Sequence, residues 1–185
     1  RCMMTKTIRL LGISGSIRKN AFNTIILETI AENLPQNVEL QIFPLNNVPL
    51  YNQDEDTATP PQAVQDLRQA VADADGMIIS SPEYIYGMSG VLKNALDWIS
   101  RPHGKSHMIG KPVFTMTASP AATGGVRAQA QLNEAMMAIG ARQVLRPQTV
   151  LAAVHEKITD GRLSDEASLS FIKAGVADLL KSIEG

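Results

Sequence analysis

Ile8-Arg9-Leu10-Leu11-Gly12-Ile13-Ser14-Gly15-Ser16-Ile17-Arg18-Lys19-Asn20-Ala21-Phe22-Asn23-Thr24 is the stretch whose reading decides the fold. Thr7–Ile13 is a short apolar run that ends at a glycine, the pattern of a buried strand meeting a turn. Beyond the turn, Ile25, Ile26, Ile30 and Leu34 recur at helical spacing until Pro35. The unit is therefore strand, loop, helix.

The same alternation continues along the chain. Strands are predicted at Val38–Phe43, Gly76–Ser81, Pro112–Thr117 and Gln143–Leu145 extending toward Val150. Helices are predicted at Ala63–Ala72, Val91–Ile99, Ala128–Ile139 and Ser168–Ile183. Alternating units imply parallel strands joined by right-handed crossovers, with helices on both faces of one sheet. Five units suit a flavodoxin-like doubly wound sheet of order 2-1-3-4-5, whereas barrel closure needs about eight. The polar stretches Leu45–Gln62 and His103–Gly110 read as surface loops.

A chain of 185 residues with 44% hydrophobic and 19% charged residues describes one ordinary globular domain. Residues 1–4, where Arg1-Cys2 precedes Met3-Met4, read as an expression remnant or disordered N-terminus, and 5–185 as the single domain. A net charge of −1, with Lys and Arg scattered, argues against a nucleic-acid partner. The apolar runs are far shorter than the roughly 20 residues of a membrane span. The single cysteine, Cys2, excludes an internal disulfide and a multi-cysteine metal site, and fits a cytoplasmic location.

In an open α/β sheet, ligands sit outside the carboxyl ends of the strands, where strand order reverses. The loop there is built for an anion. Gly15 permits a tight turn, Ser16, Asn23 and Thr24 supply short donors, Arg18 supplies a bidentate fork, and the next helix points free N–H groups inward. Gly12 and Gly15 do not complete the dinucleotide fingerprint, Gly110-Lys111 is followed by Pro112 rather than Ser or Thr, and Gly12–Ser16 ends in Ser where a hydrolase elbow needs Gly.

Two further strand ends carry loops of similar character. Ser81-Pro82-Glu83-Tyr84-Ile85-Tyr86-Gly87-Met88-Ser89-Gly90 offers a stiff wall for a flat ring. Ser119-Pro120-Ala121-Ala122-Thr123-Gly124-Gly125 can bring backbone N–H groups to a ligand oxygen. One phosphate loop and two ring loops together point to FMN.

Gly15–Asn23, Pro82-Glu83-Tyr84, Leu92-Lys93-Asn94-Ala95-Leu96-Asp97-Trp98 and Gly124-Gly125-Val126-Arg127 resemble the NADPH-dependent FMN reductase family, nearest to its quinone and chromate reductases and related azoreductases. The resemblance implies bound FMN, NADPH or NADH as co-substrate, and a homodimer or homotetramer. It places Ser16, Arg18, Asn23 and Thr24 at the phosphate, Pro82, Glu83, Tyr84 and Tyr86 along the ring, and Ser119, Gly124 and Gly125 at its pyrimidine end. The expected activity is a ping-pong hydride transfer from NAD(P)H to a quinone, azo compound, chromate or flavin, with no side chain acting as acid or base. Two positions depart from the family pattern: Ala21 stands where members often have Ser, and Ile85 where they often have Asn. An electron carrier without NAD(P)H turnover is the rival reading, and carriers of that type tend to be strongly acidic.

Four other features are read as structural. Asp97 and Arg101 fit an i, i+4 pair on a helix face that reads equally as solvated or as a subunit contact. Met136 and Met137 read as helix core, and Trp98 and Tyr51 read as core filling in preference to covering a flavin edge. His103 and His107 flank a loop glycine and are not read as a metal site.

Overall fold

A computed structural model describes residues 6–185, and the reading of residues 1–4 lies outside them. The main sheet contains β1 (Ile8–Ser14), β2 (Val38–Ile42), β3 (Gly76–Ser81), β6 (Pro112–Ala118), β7 (Arg142–Gln143) and β8 (Thr149–Leu151). Two small hairpins stand apart from it: β4 (Glu83–Tyr84) with β5 (Gly87–Met88), and β9 (Ile158–Thr159) with β10 (Arg162–Leu163). The sheet runs β2-β1-β3-β6-β7, with β8 also paired to β6, and every pairing in it is parallel. The parallel α/β class read from the alternation is the class the chain adopts.

Period-two alternation assigns the two faces of the sheet. Leu11, Ile13, Met77, Ile79 and Val113 point to one side and pack with Leu67 and Val71 of α2 (Gln62–Asp73), Leu92 and Leu96 of α3 (Gly90–Ile99), and Leu132 and Met136 of α4 (Val126–Ile139). Leu10, Ile78, Phe114 and Met116 point to the other, against Ile26 and Ile30 of α1 (Phe22–Glu32) and Ile172, Val176 and Leu179 of α5 (Glu166–Glu184). Gly175 lets α5 approach closely, since a Cβ there would run into the Phe114 ring. Lys111 ties the end of α2 to the sheet by donating from Nζ to Val71 O and Ala74 O, and burial pushes its ammonium below the usual lysine range.

Several expectations need correction. The fifth sheet position is not one strand from Gln143 toward Val150. Arg142–Gln143 and Thr149–Leu151 pair separately with β6, and Leu145–Gln148 leaves the ladder. Pro147 has no N–H to give a ladder, and Arg146 is drawn instead to α5, pairing with Asp178 at 2.8 Å and donating to Phe171 O. Asp97 pairs with Lys93 at 2.7 Å, because α3 ends at Ile99 and Arg101 falls past it. Met137 is 73% exposed, one residue round the helix from buried Met136. The loop segments are partly core: Leu45 and Met108 are buried, and Asp56 forms an ion pair with Arg68 at 2.9 Å. Trp98 is fully buried, with its indole N–H on Pro49 O and its ring edge-on to Tyr51.

Candidate functional site

The carboxyl ends of β1, β3 and β6 open onto one edge of the sheet, and their loops interlock there. Gly15 N donates to Ser80 O at 2.8 Å, which holds the first loop against β3. A Cβ on Gly15 would lie 3.0 Å from Pro82 Cδ, Ser81 Oγ and Ser89 Oγ, so a side chain there would have to push the second loop back by a few tenths of an ångström. Gly125, at φ +92°, faces the Thr117 side chain and lies near Glu83 Cβ, which joins the second loop to the third.

Ser14 is the hub of the first loop. Its hydroxyl accepts from Thr24 Oγ1 at 2.8 Å and from Ser16 N at 3.3 Å. Ser16 in turn accepts from Arg18 N at 3.4 Å, and Arg18 lies exposed with its guanidinium 5.1 Å from the Phe22 ring centroid. Ala21 occupies the N-cap of α1 and offers no side-chain acceptor. The first amides of the helix, Phe22, Asn23 and Thr24, therefore face the loop without a cap. Ser14–Thr24 contains two cations and no acid.

Asn23 sits elsewhere than an open ligand would. It is buried beneath the loop, its amide oxygen accepting from Ser80 Oγ at 2.7 Å and its amide nitrogen donating to Ala118 O at 3.3 Å. It cross-links the ends of β3 and β6 under the cradle floor.

Pro82 is buried against Gly15, while Tyr84 and Tyr86 are 59% and 70% exposed at the rim. Glu83 turns inward. One of its carboxylate oxygens accepts from Ala128 N at 2.8 Å and so caps α4, whose own N-cap is the side-chain-less Gly125. Gln131 completes the joint by accepting from Met88 N at 2.8 Å.

The β4–β5 hairpin turns through Ile85 (φ +49°) and Tyr86 (φ +62°), the signature of a type I′ turn. A β-branched residue at positive φ costs about 1–3 kcal/mol. Ile85 is 98% exposed, and the Arg127 guanidinium lies 3.9 Å over the Tyr86 ring.

In the third loop, the Ser119 hydroxyl accepts from Ala121 N at 3.1 Å. Gly124, at φ +64°, packs so tightly on β8 that a Cβ would stand 2.7 Å from Ala152 N. Among the described residues the buried Thr117 hydroxyl beside Gly125 has no hydrogen-bond partner.

The sequence-read residues thus converge on one edge, with Asn23 and Glu83 turned to structural duty. The reading missed Ser14, Gln131 and Thr117. A serine or threonine at a strand end carries no signal until the strands are assembled. A cavity of about 450 Å³ lies between α3, α4 and the loop after α3, lined by Leu96, Arg101, His103, Ile109 and Ile139. It takes in the carboxyl-terminal turns of both helices, away from the strand-end loops.

These features fit FMN. The uncapped start of α1, the Ser16 hydroxyl and the Arg18 guanidinium are a donor set for a phosphate. The Thr117 hydroxyl, unpaired among the described residues, and the backbone at Gly124-Gly125 are polar groups of the kind a flavin ring edge would need.

The parallel sheet and its three interlocked strand-end loops define a flavodoxin-like α/β protein. Within that class the chain belongs to the NADPH-dependent FMN reductase family, whose profile matches residues 8–156. It is 32% identical over 171 residues to an NAD(P)H-dependent FMN reductase of Pseudomonas aeruginosa, covering 92% of each chain. It is 30% identical over 173 residues to a quinone reductase of Escherichia coli K12, covering 91% of this chain and 92% of the other. A solved structure, the flavoenzyme NAD(P)H:(acceptor) oxidoreductase FerB of Paracoccus denitrificans, superposes with a TM-score of 0.84 at 26% identity, covering 96% of this chain and 98% of that one. The chain is accordingly an oxidoreductase of the FMN- and NAD(P)H-using type.

Proposed function

We propose that this chain holds FMN in the cradle between Gly15 and Gly125 and transfers hydride from NAD(P)H to a small acceptor of the quinone type by a ping-pong cycle. The observation that carries the reading is the uncapped N-terminus of α1 beside Ser16 and Arg18, in a segment without acids. Ser16, Arg18, Thr24 and the amides of Phe22 to Thr24 hold the phosphate. Asn23 holds the floor. Pro82, Tyr84 and Tyr86 border the ring, and Ser119, Gly124, Gly125 and Thr117 lie at its pyrimidine end, where negative charge develops on reduction.

FMN supplies the hydride chemistry, and the chain supplies position, electrostatics and exclusion of water. The nicotinamide and the acceptor use one open face in turn. A quinone takes the two electrons with two protons and leaves as hydroquinone. Azo compounds, chromate and free flavins are the other acceptors of the proposal. Among the described residues no helix is long and apolar enough to cross a membrane, and a cytoplasmic homodimer or homotetramer completes the reading.

The test is direct. The purified protein should show a flavin spectrum and oxidise NADPH or NADH when a benzoquinone is added, with parallel lines in double-reciprocal plots. Intersecting lines would overturn the shared face. Flavin without NAD(P)H turnover would make the chain an electron carrier.

A further inference from the structure

We infer that the Ile85-Tyr86 tip of the β4–β5 hairpin selects the acceptor, favouring flat molecules with apolar substituents over hydrated oxyanions. The inference rests on the proposed function and concerns the acceptor side of the same site.

Two hairpins of this chain turn through two residues at positive φ, and they use opposite chemistries. Between β9 and β10 the pair is Asp160-Gly161, at φ +49° and φ +70°, residue types that take up this conformation readily. Between β4 and β5 the pair is Ile85-Tyr86 in the same conformation. An isoleucine there is strained, and its side chain contributes nothing to the fold, because 98% of the residue is exposed. Strain held at an exposed position points to a use outside the folded core.

The position of the tip says what that use is. Pro82, just before the hairpin, packs on Gly15, and Glu83, within it, caps α4 next to Gly125. The hairpin therefore rises between the phosphate loop and the third loop, at the rim of the cradle. Its base is fixed by Gln131 and Glu83, and Arg127 lies on the Tyr86 ring. Ile85 is left as an exposed apolar side chain at the tip, next in sequence to the exposed Tyr84. A substituted quinone removes apolar area from water against such a surface. Chromate keeps its hydration and gains nothing from it.

The experiment compares wild type, Ile85→Asn and Ile85→Leu as FMN-loaded enzymes, with a decyl-substituted benzoquinone and with chromate. Asparagine suits positive φ and removes the apolar tip, so the variant should fold at least as well as wild type. The ratio of kcat/KM for the quinone to that for chromate should fall about fivefold in Ile85→Asn, mainly through the quinone KM, and stay within about twofold in Ile85→Leu. An unchanged ratio in Ile85→Asn, or an equal loss with both acceptors, would overturn the assignment and leave Ile85 a strained turn residue. Absence of flavin or of NAD(P)H oxidation in the wild type is a separate result that overturns the proposed function itself and the inference with it.

Discussion

The Glu83 carboxylate accepts a hydrogen bond from Ala128 N at 2.8 Å, so a residue of the second strand-end loop caps the helix that follows the third. Gly125 stands at the N-cap of α4 and has no side chain for the task. The borrowed cap makes the two ring-side loops one mechanical unit, and the first loop joins it where Pro82 meets Gly15.

Glu83→Ala should therefore cost about 1–2 kcal/mol of stability, the usual price of an N-cap. It should also weaken FMN binding, because the Gly124-Gly125 turn loses its anchor. Glu83→Gln keeps an acceptor oxygen and should recover most of both. Thermal unfolding and flavin titration of the apoprotein check the pair, and an Ala variant as stable as wild type would deny the cap its role.

Arg18→Ala addresses the other end of the cradle. Arg18 is exposed, and among the described residues its guanidinium hydrogen-bonds only locally, from Nη1 to the adjacent Lys19 O, so the fold should lose little. A charge-assisted contact to a phosphate contributes about 1.5–3 kcal/mol, and FMN affinity should fall about tenfold or more. Riboflavin has no phosphate and should bind wild type and variant alike. Equal losses for both flavins would place Arg18 away from the phosphate.

How far the sequence carried this reading is clearest from the two hairpins. Thr159-Asp160-Gly161-Arg162 contains an Asp-Gly pair, a strong local signal for a two-residue turn, so β9–β10 was legible in principle. Tyr84-Ile85-Tyr86-Gly87 has no such pair, and β4–β5 forms because Gln131 and Glu83 fix both ends of it to α4. The main strands and helices were legible because burial repeats at two or 3.6 residues. The fifth sheet position was not, since its break depends on Arg146 reaching α5. The same holds for the site. Gly15, Ser16 and Arg18 support the reading of an anion-binding loop by type and order, whereas the inward turn of Asn23 depends on Ser80 and Ala118, which come next to it only after folding.

Gly124→Ala tests the close approach in the third loop. The new methyl group would meet Ala152 N at 2.7 Å and Leu151 C at 2.9 Å, both backbone, at a residue already held at φ +64°. Left-handed strain and overpacking together should cost about 2–4 kcal/mol. Gly104 has a similar φ of +72° and, among the described residues, nothing within 4 Å of an added Cβ, so Gly104→Ala isolates the strain and should cost about 1–2 kcal/mol. Urea denaturation of the two variants separates clash from strain, and equal losses would show that β8 yields to the methyl group.

The start of α5 supplies a pH dependence with a definite sign. Asp165 is its N-cap, accepting from Ser168 N at 2.9 Å and from Ser168 Oγ at 2.5 Å. These bonds to Ser168, the side-chain one foremost, hold the Asp165 carboxyl below its ordinary value. Because the folded-state pKa is depressed, the charged cap stabilises the fold fully above the unfolded aspartate range, near about pH 4, and that contribution is lost as pH falls through the folded-state value. Asp165→Asn keeps a capping oxygen without the charge, and the effects of other carboxylates cancel between the two proteins. Wild type should unfold at a higher temperature than the variant at pH 7, and the gap should narrow as the pH falls below about 4. A gap that stays constant across that range would show that the cap acts through hydrogen-bond geometry alone, with no contribution from the carboxylate charge at the helix N-terminus.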